Sequence, residues 1–158
     1  QQKIYQRSFM QPFKMMSTMG NIGNTCIFCK IVKGEIPCTK LHEASEFIAF
    51  LDISPATKGH TLIVTREHQE TLADVSGSTL AAMIAFSQKL SRALSSSLGA
   101  EGFNLLMNNK AVAGQVIPHA HIHLIPRYRG DGLRIQWEPR KEFLPMLQSI
   151  AEKIRTFL

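Results

Sequence analysis

The 158-residue chain lacks any apolar run near the ~20 residues that a membrane-spanning helix requires, so the sequence indicates no membrane partner. It contains no Walker loop, no Gly-x-Gly-x-x-Gly stretch and no internal repeat, which excludes P-loop and dinucleotide-binding motifs and solenoid folds. Lysine and arginine do not cluster with aromatic residues, so the net charge of +6 does not indicate nucleic acid binding. That charge favours small anions such as nucleotides and phosphate esters.

Cysteine is scarce as well, with three residues, of which Cys26 and Cys29 form a Cys-x-x-Cys pair. So few cysteines do not build a secreted disulfide framework, and the pair indicates a metal site or a redox role. An apolar content of 44% and a charged content of 19% are typical of one globular domain. We expect an intracellular protein, most simply a cytoplasmic one.

Residues 1–25 lack acidic residues and a continuous apolar core, which argues against a secretory signal. Their basic, Ser/Gln-containing composition has a weak likeness to an organelle transit peptide. A disordered extension or an expression remnant is an equal alternative. We predict an N-terminal extension over 1–25 and a folded domain over 26–158.

Hydrophobic periodicity predicts strands over 40–43, 47–51, 61–65 and 103–108, with a turn at Ala44 and Ser45. It predicts a long helix over 78–99, capped by Ser78 and ended by Gly99. A last helix is expected from about Glu142, with Pro145 tolerated in its first turn. This order favours an α+β domain with an antiparallel sheet. The apolar stripe of the last helix comprises Leu144, Leu147, Ile150, Ala151, Ile154 and Phe157.

Residues 119–125 carry histidine at alternate positions, at His119, His121 and His123. In a strand these side chains share one face. Burying three imidazoles without partners is costly, so the row is expected to act on one ligand or to serve two adjoining sites. A plain metal-binding tract is the alternative. The apolar residues of the opposite face are Ala120, Ile122 and Leu124.

This tract matches the pattern His-φ-His-φ-His-φ-φ residue for residue. With upstream motifs from Cys26 to Arg129, the chain resembles the histidine triad (HIT) family, and within it the Cys-x-x-Cys branch of zinc-containing nucleotide hydrolases. The resemblance implies a five-stranded antiparallel sheet with a long central helix and a C-terminal helix, paired into a homodimer. It implies no organic cofactor.

The resemblance also implies hydrolysis of purine nucleoside phosphoramidates, or other AMP conjugates, at the α-phosphate through a nucleotidyl-histidine. His121 would be the nucleophile, neutral and held by a carbonyl at its other nitrogen. His123 would donate to a phosphate oxygen and His60 would lie beside the leaving group, with His119 completing the triad. A catalytically weak nucleotide-binding or scaffold protein and a nucleotidyl transferase are the alternatives.

By the same resemblance, Asp52 would accept the ribose hydroxyls, and Asn108 and Gln115 would donate to the developing charge. One position departs from the phosphoramidate-cleaving relatives, because Val116 stands where they carry Ser or Thr. Protonation of the leaving group by that route is therefore in doubt. The apolar wall around the base would comprise Phe28, Ile31, Phe50, Ile53 and Leu62.

The Cys-x-x-Cys pair supplies two thiolates, and a tetrahedral zinc ion needs two further ligands. The resemblance gives His68 and His119 as those ligands, which predicts a structural zinc site beside the catalytic strand. Two reduced thiols that only pack are the alternative for Cys26 and Cys29. A redox dithiol is less favoured, because no thioredoxin-like βαβ pattern follows.

Overall fold

The computed structural model describes residues 25–158 of the chain. The predicted extension lies outside these residues except for Thr25, so it stays a prediction. Within the described range the helices are α1 (Ile27–Val32), α2 (Gly77–Leu98) and α3 (Leu147–Arg155), and the strands are β1 (Lys40–Glu43), β2 (Phe47–Leu51), β3 (Thr61–Thr65), β4 (Gly102–Leu106) and β5 (His121–Arg127). Short 3₁₀ helices occupy Leu72–Asp74, Ala111–Ala113 and Lys141–Met146.

The five strands form one antiparallel sheet in the order β1-β2-β3-β5-β4. β1 and β2 form a hairpin, closed by a bond of 2.9 Å from the N–H of Ala44 to the carbonyl of Phe47. The first three strands have the predicted bounds. The sheet, the long α2 and the C-terminal α3 confirm the predicted fold class.

The histidine strand begins later than predicted, at His121 instead of His119, and continues to Arg127. The N–H of Ala120 donates to the carbonyl of Gln69 at 2.6 Å, and this loop contact holds the preceding residue outside the strand. The prediction of a strand over 119–125 was therefore wrong at its start.

The predicted alternation along that strand is confirmed. Ile122 packs with Met83 of α2, and Leu124 packs with Leu90 and Leu94 of the same helix. The apolar face of β5 thus packs against α2, while the histidines project from the opposite face of the strand.

β4 ends at Leu106, earlier than the predicted 108. The side chain of Asn109 bonds the carbonyl of Met107 at 3.0 Å and the N–H of Leu72 at 2.6 Å. These side-chain bonds fix the chain in a loop conformation that leaves the strand ladder.

The N-cap of α2 lies two residues before the predicted one. Ser76 is the cap, because its hydroxyl accepts the N–H of Thr79 at 3.1 Å, whereas Ser78 lies inside the first turn. The helix ends where predicted, at Gly99, which adopts a left-handed conformation with φ 72°.

α3 begins at Leu147 and not near Glu142, because Pro145 falls within the 3₁₀ helix before it. Proline has no N–H to donate and crowds the carbonyl four residues earlier, so α-helical bonding starts only beyond it. Residues 25–158 leave most of the apolar stripe of this segment uncovered, with Leu144, Leu147, Ile154 and Phe157 exposed.

Apolar layers lie on both faces of the sheet. α2 covers one face, and α1 covers the other, where Phe28 packs with Phe50 and Leu62. None of the helices in residues 25–158 combines the length and apolarity that a membrane crossing needs. The histidines therefore share their face of the sheet with α1.

Candidate active site and metal centre

The β3–β5 ladder places the second and third histidines of the tract side by side on the α1 face. His121 pairs with Val64 and His123 pairs with Leu62. The rings of His121 and His123 lie 4.9 Å apart between centroids. Phe28 of α1 packs edge-on against His121 at 5.0 Å, so a helix closes one side of the row.

His121 is fixed in one tautomer. Its Nδ1–H donates to the carbonyl of His119 at 2.6 Å, because a carbonyl only accepts. Nε2 of a neutral ring then carries a free lone pair. Burial lowers the pKa of His121, so the ring is neutral at physiological pH. The geometry therefore provides a neutral imidazole whose free lone pair on Nε2 could act as a nucleophile.

His60 meets His123 from the loop before β3. Nε2 of His60 lies 3.0 Å from Nδ1 of His123, and the N–H of Ala56 donates to Nδ1 of His60 at 3.1 Å. The pKa of His123 is lowered to about 4, mainly by burial and then by charge repulsion from His121 and His60. Both rings are neutral near pH 7, since burial also lowers the pKa of His60.

Gly59 allows this loop to approach α2. Its φ is +86°, and an added Cβ would lie 2.8 Å from Cδ1 of Leu98 and 3.0 Å from Cδ2 of Leu94. Only glycine combines that backbone conformation with that close contact. The Gly-His pair thus delivers His60 to the histidine row.

Asp52 lies at the end of β2, on the same loop. Its Oδ1 accepts the N–H of Ser54 at 2.8 Å, and its Oδ2 lies 3.7 Å from Nδ1 of His60. The structure therefore brings this carboxylate to the edge of the histidine row, where it can accept hydroxyl groups of a ligand.

Asn108 and Gln115 lie in the loop before β5 and stabilise it through side-chain hydrogen bonds to backbone groups. Nδ2 of Asn108 donates to the carbonyl of Gly114 at 3.3 Å. The amide of Gln115 is buried, accepting the N–H of Lys110 at 2.6 Å and donating to the carbonyl of Glu70 at 2.7 Å. Each amide nitrogen has two hydrogens, so these bonds use one N–H of each side chain.

The predicted apolar wall is assembled only in part. Phe28, Ile31, Phe50 and Leu62 belong to one buried cluster, in which the rings of Phe28 and Phe50 meet edge-on at 6.0 Å. Ile53 is 91% exposed and lies outside that cluster.

The two cysteines and two histidines predicted as metal ligands lie together around the ring of His119, the first histidine of the tract. Nδ1 of His119 lies 3.4 Å from Sγ of Cys26 and 3.6 Å from Sγ of Cys29, and Nδ1 of His68 lies 3.2 Å from Sγ of Cys29. All four donor atoms are within 4.8 Å of one another. A tetrahedral zinc ion places sulfur and nitrogen ligands about 3.5 Å apart.

The surroundings of this cluster also suit a metal ion. Nε2–H of His119 donates to the carbonyl of Thr65 at 2.8 Å, which directs the lone pair of Nδ1 at the thiols. Burial, with the nearby thiol of Cys26, raises the pKa of Cys29 to about 11. Since a metal ion stabilises thiolates directly, it would relieve this unfavourable environment.

Sequence reasoning missed the groups that orient these side chains. They are the N–H of Ala56 and the carbonyls of Thr65 and Glu70. It also missed the strained backbone of Lys110, a non-glycine residue with φ 70°. Backbone groups are present at every position, so no residue type could have signalled the first three.

Comparison with known proteins agrees with this geometry. Residues 33–130 match the family model described as HIT domain. The chain is 46% identical over 131 residues to adenylylsulfatase HINT3 of Arabidopsis thaliana, covering 83% of this chain and 66% of that protein. It is 41% identical over 131 residues to adenosine 5'-monophosphoramidase hnt1 of Schizosaccharomyces pombe, covering 82% and 96% respectively.

Solved structures give the same result. A HIT family protein from Bacillus anthracis matches with a TM-score of 0.79 at 37% identity, covering 85% of this chain and 98% of that one. A zinc-bound histidine triad family protein from Mycobacterium smegmatis matches with a TM-score of 0.68 at 33% identity, covering 86% and 99%.

Proposed function

The chain belongs to the histidine triad family, and from this premise we propose that it is a hydrolase of purine nucleoside phosphoramidates and related AMP conjugates. The observation that carries the proposal is the neutral His121, whose Nδ1–H is held by the carbonyl of His119. The names of two relatives support it, one an adenosine 5'-monophosphoramidase and one an adenylylsulfatase.

The reaction proceeds in two displacements. In the first, the lone pair on Nε2 of His121 forms a bond to the α-phosphorus, and the bond to the leaving group breaks with its electron pair on that group. An amine takes up a proton from water as it leaves, whereas sulfate or phosphate leaves as an anion. In the second, water attacks phosphorus, the N–P bond breaks with its pair returning to Nε2, and the water proton is lost to solvent. The products are AMP and the freed amine or acid.

Neutral donors stabilise the negative charge on the non-bridging oxygens of the phosphate. Nε2–H of His123 donates to a phosphate oxygen, and His60 supports it from the other side of the ring. The second N–H of Asn108 and that of Gln115 complete the set of donors. His119 contributes its carbonyl, which keeps the nucleophile in the reactive tautomer.

The nucleoside is held by groups beside the row. Asp52 accepts the ribose 2′- and 3′-hydroxyls, a charge-assisted pair of hydrogen bonds. The apolar wall beneath the purine is formed by Phe28, Ile31, Phe50 and Leu62. Ile53, which is exposed on the same loop as Asp52, covers the purine when it binds.

We also propose a structural zinc ion held by Cys26, Cys29, His68 and His119. The spacing of their donor atoms and the orientation of His119 support it, and a zinc-bound relative has been solved. The ion would tie α1 to the loop before β5.

A homodimer is proposed on the edge of the sheet. β4 is an edge strand, and its Phe103 is 52% exposed beside the exposed Leu105. An apolar edge strand is unfavourable in a free monomer, and a second copy would cover it. We also propose an intracellular location, because Cys26, Cys29 and Cys38 form no disulfide.

A nucleotide-binding protein with weak catalysis is the second candidate. Val116 favours it, because this exposed side chain has no hydroxyl with which to protonate a leaving group. Such a protein would use the same pocket for binding alone.

Mass spectrometry of the protein quenched during turnover of an AMP phosphoramidate separates the two. We expect an adduct of one AMP on wild-type protein and none on His121→Ala. His42→Ala is the matched control, since His42 stacks on Phe86 away from the row, and it should retain the adduct. Bound nucleotide with no adduct and no AMP release would refute the hydrolase and favour the binding protein.

A further inference from the structure

The loop over residues 52–60 reaches the histidine row through a backbone group as well as through side chains. The N–H of Ala56 is directed at Nδ1 of His60, at 3.1 Å. A backbone N–H can only donate, so Nδ1 of His60 is the acceptor. Oδ2 of Asp52 also faces Nδ1, but at 3.7 Å it lies beyond hydrogen-bond distance. The proton of the neutral ring therefore resides on Nε2.

The same reasoning extends to the next ring. Nε2 of His60 lies 3.0 Å from Nδ1 of His123. Because Nε2 of His60 carries the proton, Nδ1 of His123 accepts it, and neutral His123 must carry its own proton on Nε2. The hydrogen bonds thus run in one direction, from Ala56 to His60 to His123.

We propose that the backbone N–H of Ala56 selects the tautomer of His60 and, through it, the tautomer of His123. Ala56 is then a positioning residue for the phosphate donor. This inference rests on the proposed function, in which Nε2–H of His123 donates to a phosphate oxygen. The tautomer of His123 is thereby linked to sugar recognition, because Asp52, the proposed ribose ligand, orders the loop that carries Ala56 through its bond to Ser54.

A metal ion is the competing use of these side chains. Asp52, His60 and His123 each bring one donor atom within 4.8 Å of the others. A histidine bound to metal donates its second ring N–H to an acceptor, as His119 does to Thr65. His60 instead faces an N–H donor at Nδ1, so coordination through Nε2 would set two N–H groups against each other. The contact with Ala56 favours a hydrogen-bond relay.

Long-range ¹H–¹⁵N correlation spectra of the full chain, labelled with ¹⁵N-histidine and recorded near neutral pH, test the relay directly. We expect protonated Nε2 on His60 and on His123, and protonated Nδ1 on His121. Protonated Nδ1 on His60, or averaged tautomers of His123, would overturn the proposal.

Removing the donor tests causation. An ester in place of the Ala56 amide deletes the N–H and keeps the side chain, and Ala56→Pro is a simpler variant with the same loss. Ala56→Ser is the matched control, because position 56 is exposed and serine keeps the N–H. We expect the ester to mix the tautomers of both histidines and to lower kcat about fivefold, the effect of one hydrogen bond. Unchanged spectra and kcat in the ester would overturn the proposal.

A pair of substitutions at His60 provides a second test. Glutamine separates an acceptor from a donor much as the imidazole does, whereas leucine offers neither. His123 should keep protonated Nε2 in His60→Gln and show mixed tautomers in His60→Leu, and identical spectra would contradict the relay. These spectra need no turnover, so a chain with the expected tautomers but no AMP adduct would refute the hydrolase and leave the relay standing.

Discussion

The carbonyl of His119 accepts the Nδ1–H of His121 at 2.6 Å, while the side chain of His119 lies among the thiols of Cys26 and Cys29. One residue therefore belongs to the proposed metal centre by its ring and to the proposed active site by its backbone. A displacement of His119 reaches the nucleophile through a single hydrogen bond.

Loss of the metal centre should therefore reduce both stability and activity. We expect wild-type protein to contain one zinc ion per chain and Cys29→Ser to contain none, with unfolding free energy lower by at least about 3 kcal/mol. Metal analysis, urea denaturation and the rate of AMP release measure these effects. Cys38→Ser is the control, since Cys38 lies outside the cluster, and equal zinc in both variants would contradict the site.

Replacement of Asp52 should abolish discrimination at the sugar. The wild-type chain is expected to prefer ribonucleotide over 2′-deoxyribonucleotide substrate by about 10- to 100-fold in kcat/KM, the effect of one charge-assisted hydrogen bond. Asp52→Ala should bring that ratio close to unity, and Glu46→Ala, which removes an exposed acid elsewhere, should preserve it. A ratio that survives in Asp52→Ala would place the ribose elsewhere.

A hydroxyl at position 116 should favour amine leaving groups. Amines leave poorly unless protonated, whereas phosphate and sulfate leave as stable anions, so Val116→Ser should raise kcat/KM for a phosphoramidate about tenfold. The rate for a sulfate or phosphate conjugate should hardly change. Val112→Ser is the matched control, because both valines are exposed on the same loop, Val112 by 99% and Val116 by 91%. An equal gain in both variants would exclude leaving-group protonation as the cause.

Stability should fall in acid through His123. Its pKa is about 4 in the folded chain against an ordinary 6.5, so protons bind the unfolded chain more tightly between these values. The contribution is complete above pH 6.5 and is lost as pH falls toward 4, at no more than about 1.4 kcal/mol per pH unit. Urea denaturation across this range should give a shallower pH dependence for His123→Gln. A slope in the variant equal to that of the wild type would contradict this.

The sequence predicted most of the helices and strands, because each is specified by the hydrophobic pattern of its own residues. The alternation around His121 and the apolar stripe of α2 each specify one element from its own residues. The errors occurred at element ends. At β5 a distant residue decides, because the carbonyl of Gln69 binds the N–H of Ala120. At α3 a local one decides, because Pro145 keeps the preceding turns in a 3₁₀ helix.

The sequence by itself determined which residues carry chemistry. The alternating histidines, the Cys-x-x-Cys pair and Asp52 are visible as residue types at fixed spacing. The tertiary structure alone decided how they are oriented, because the orienting partners are backbone groups, which residue types do not reveal. The carbonyl of Thr65 turns His119 toward the thiols, and the N–H of Ala56 gives His60 its tautomer. Every residue has such groups, so only the folded chain shows which of them meet an imidazole.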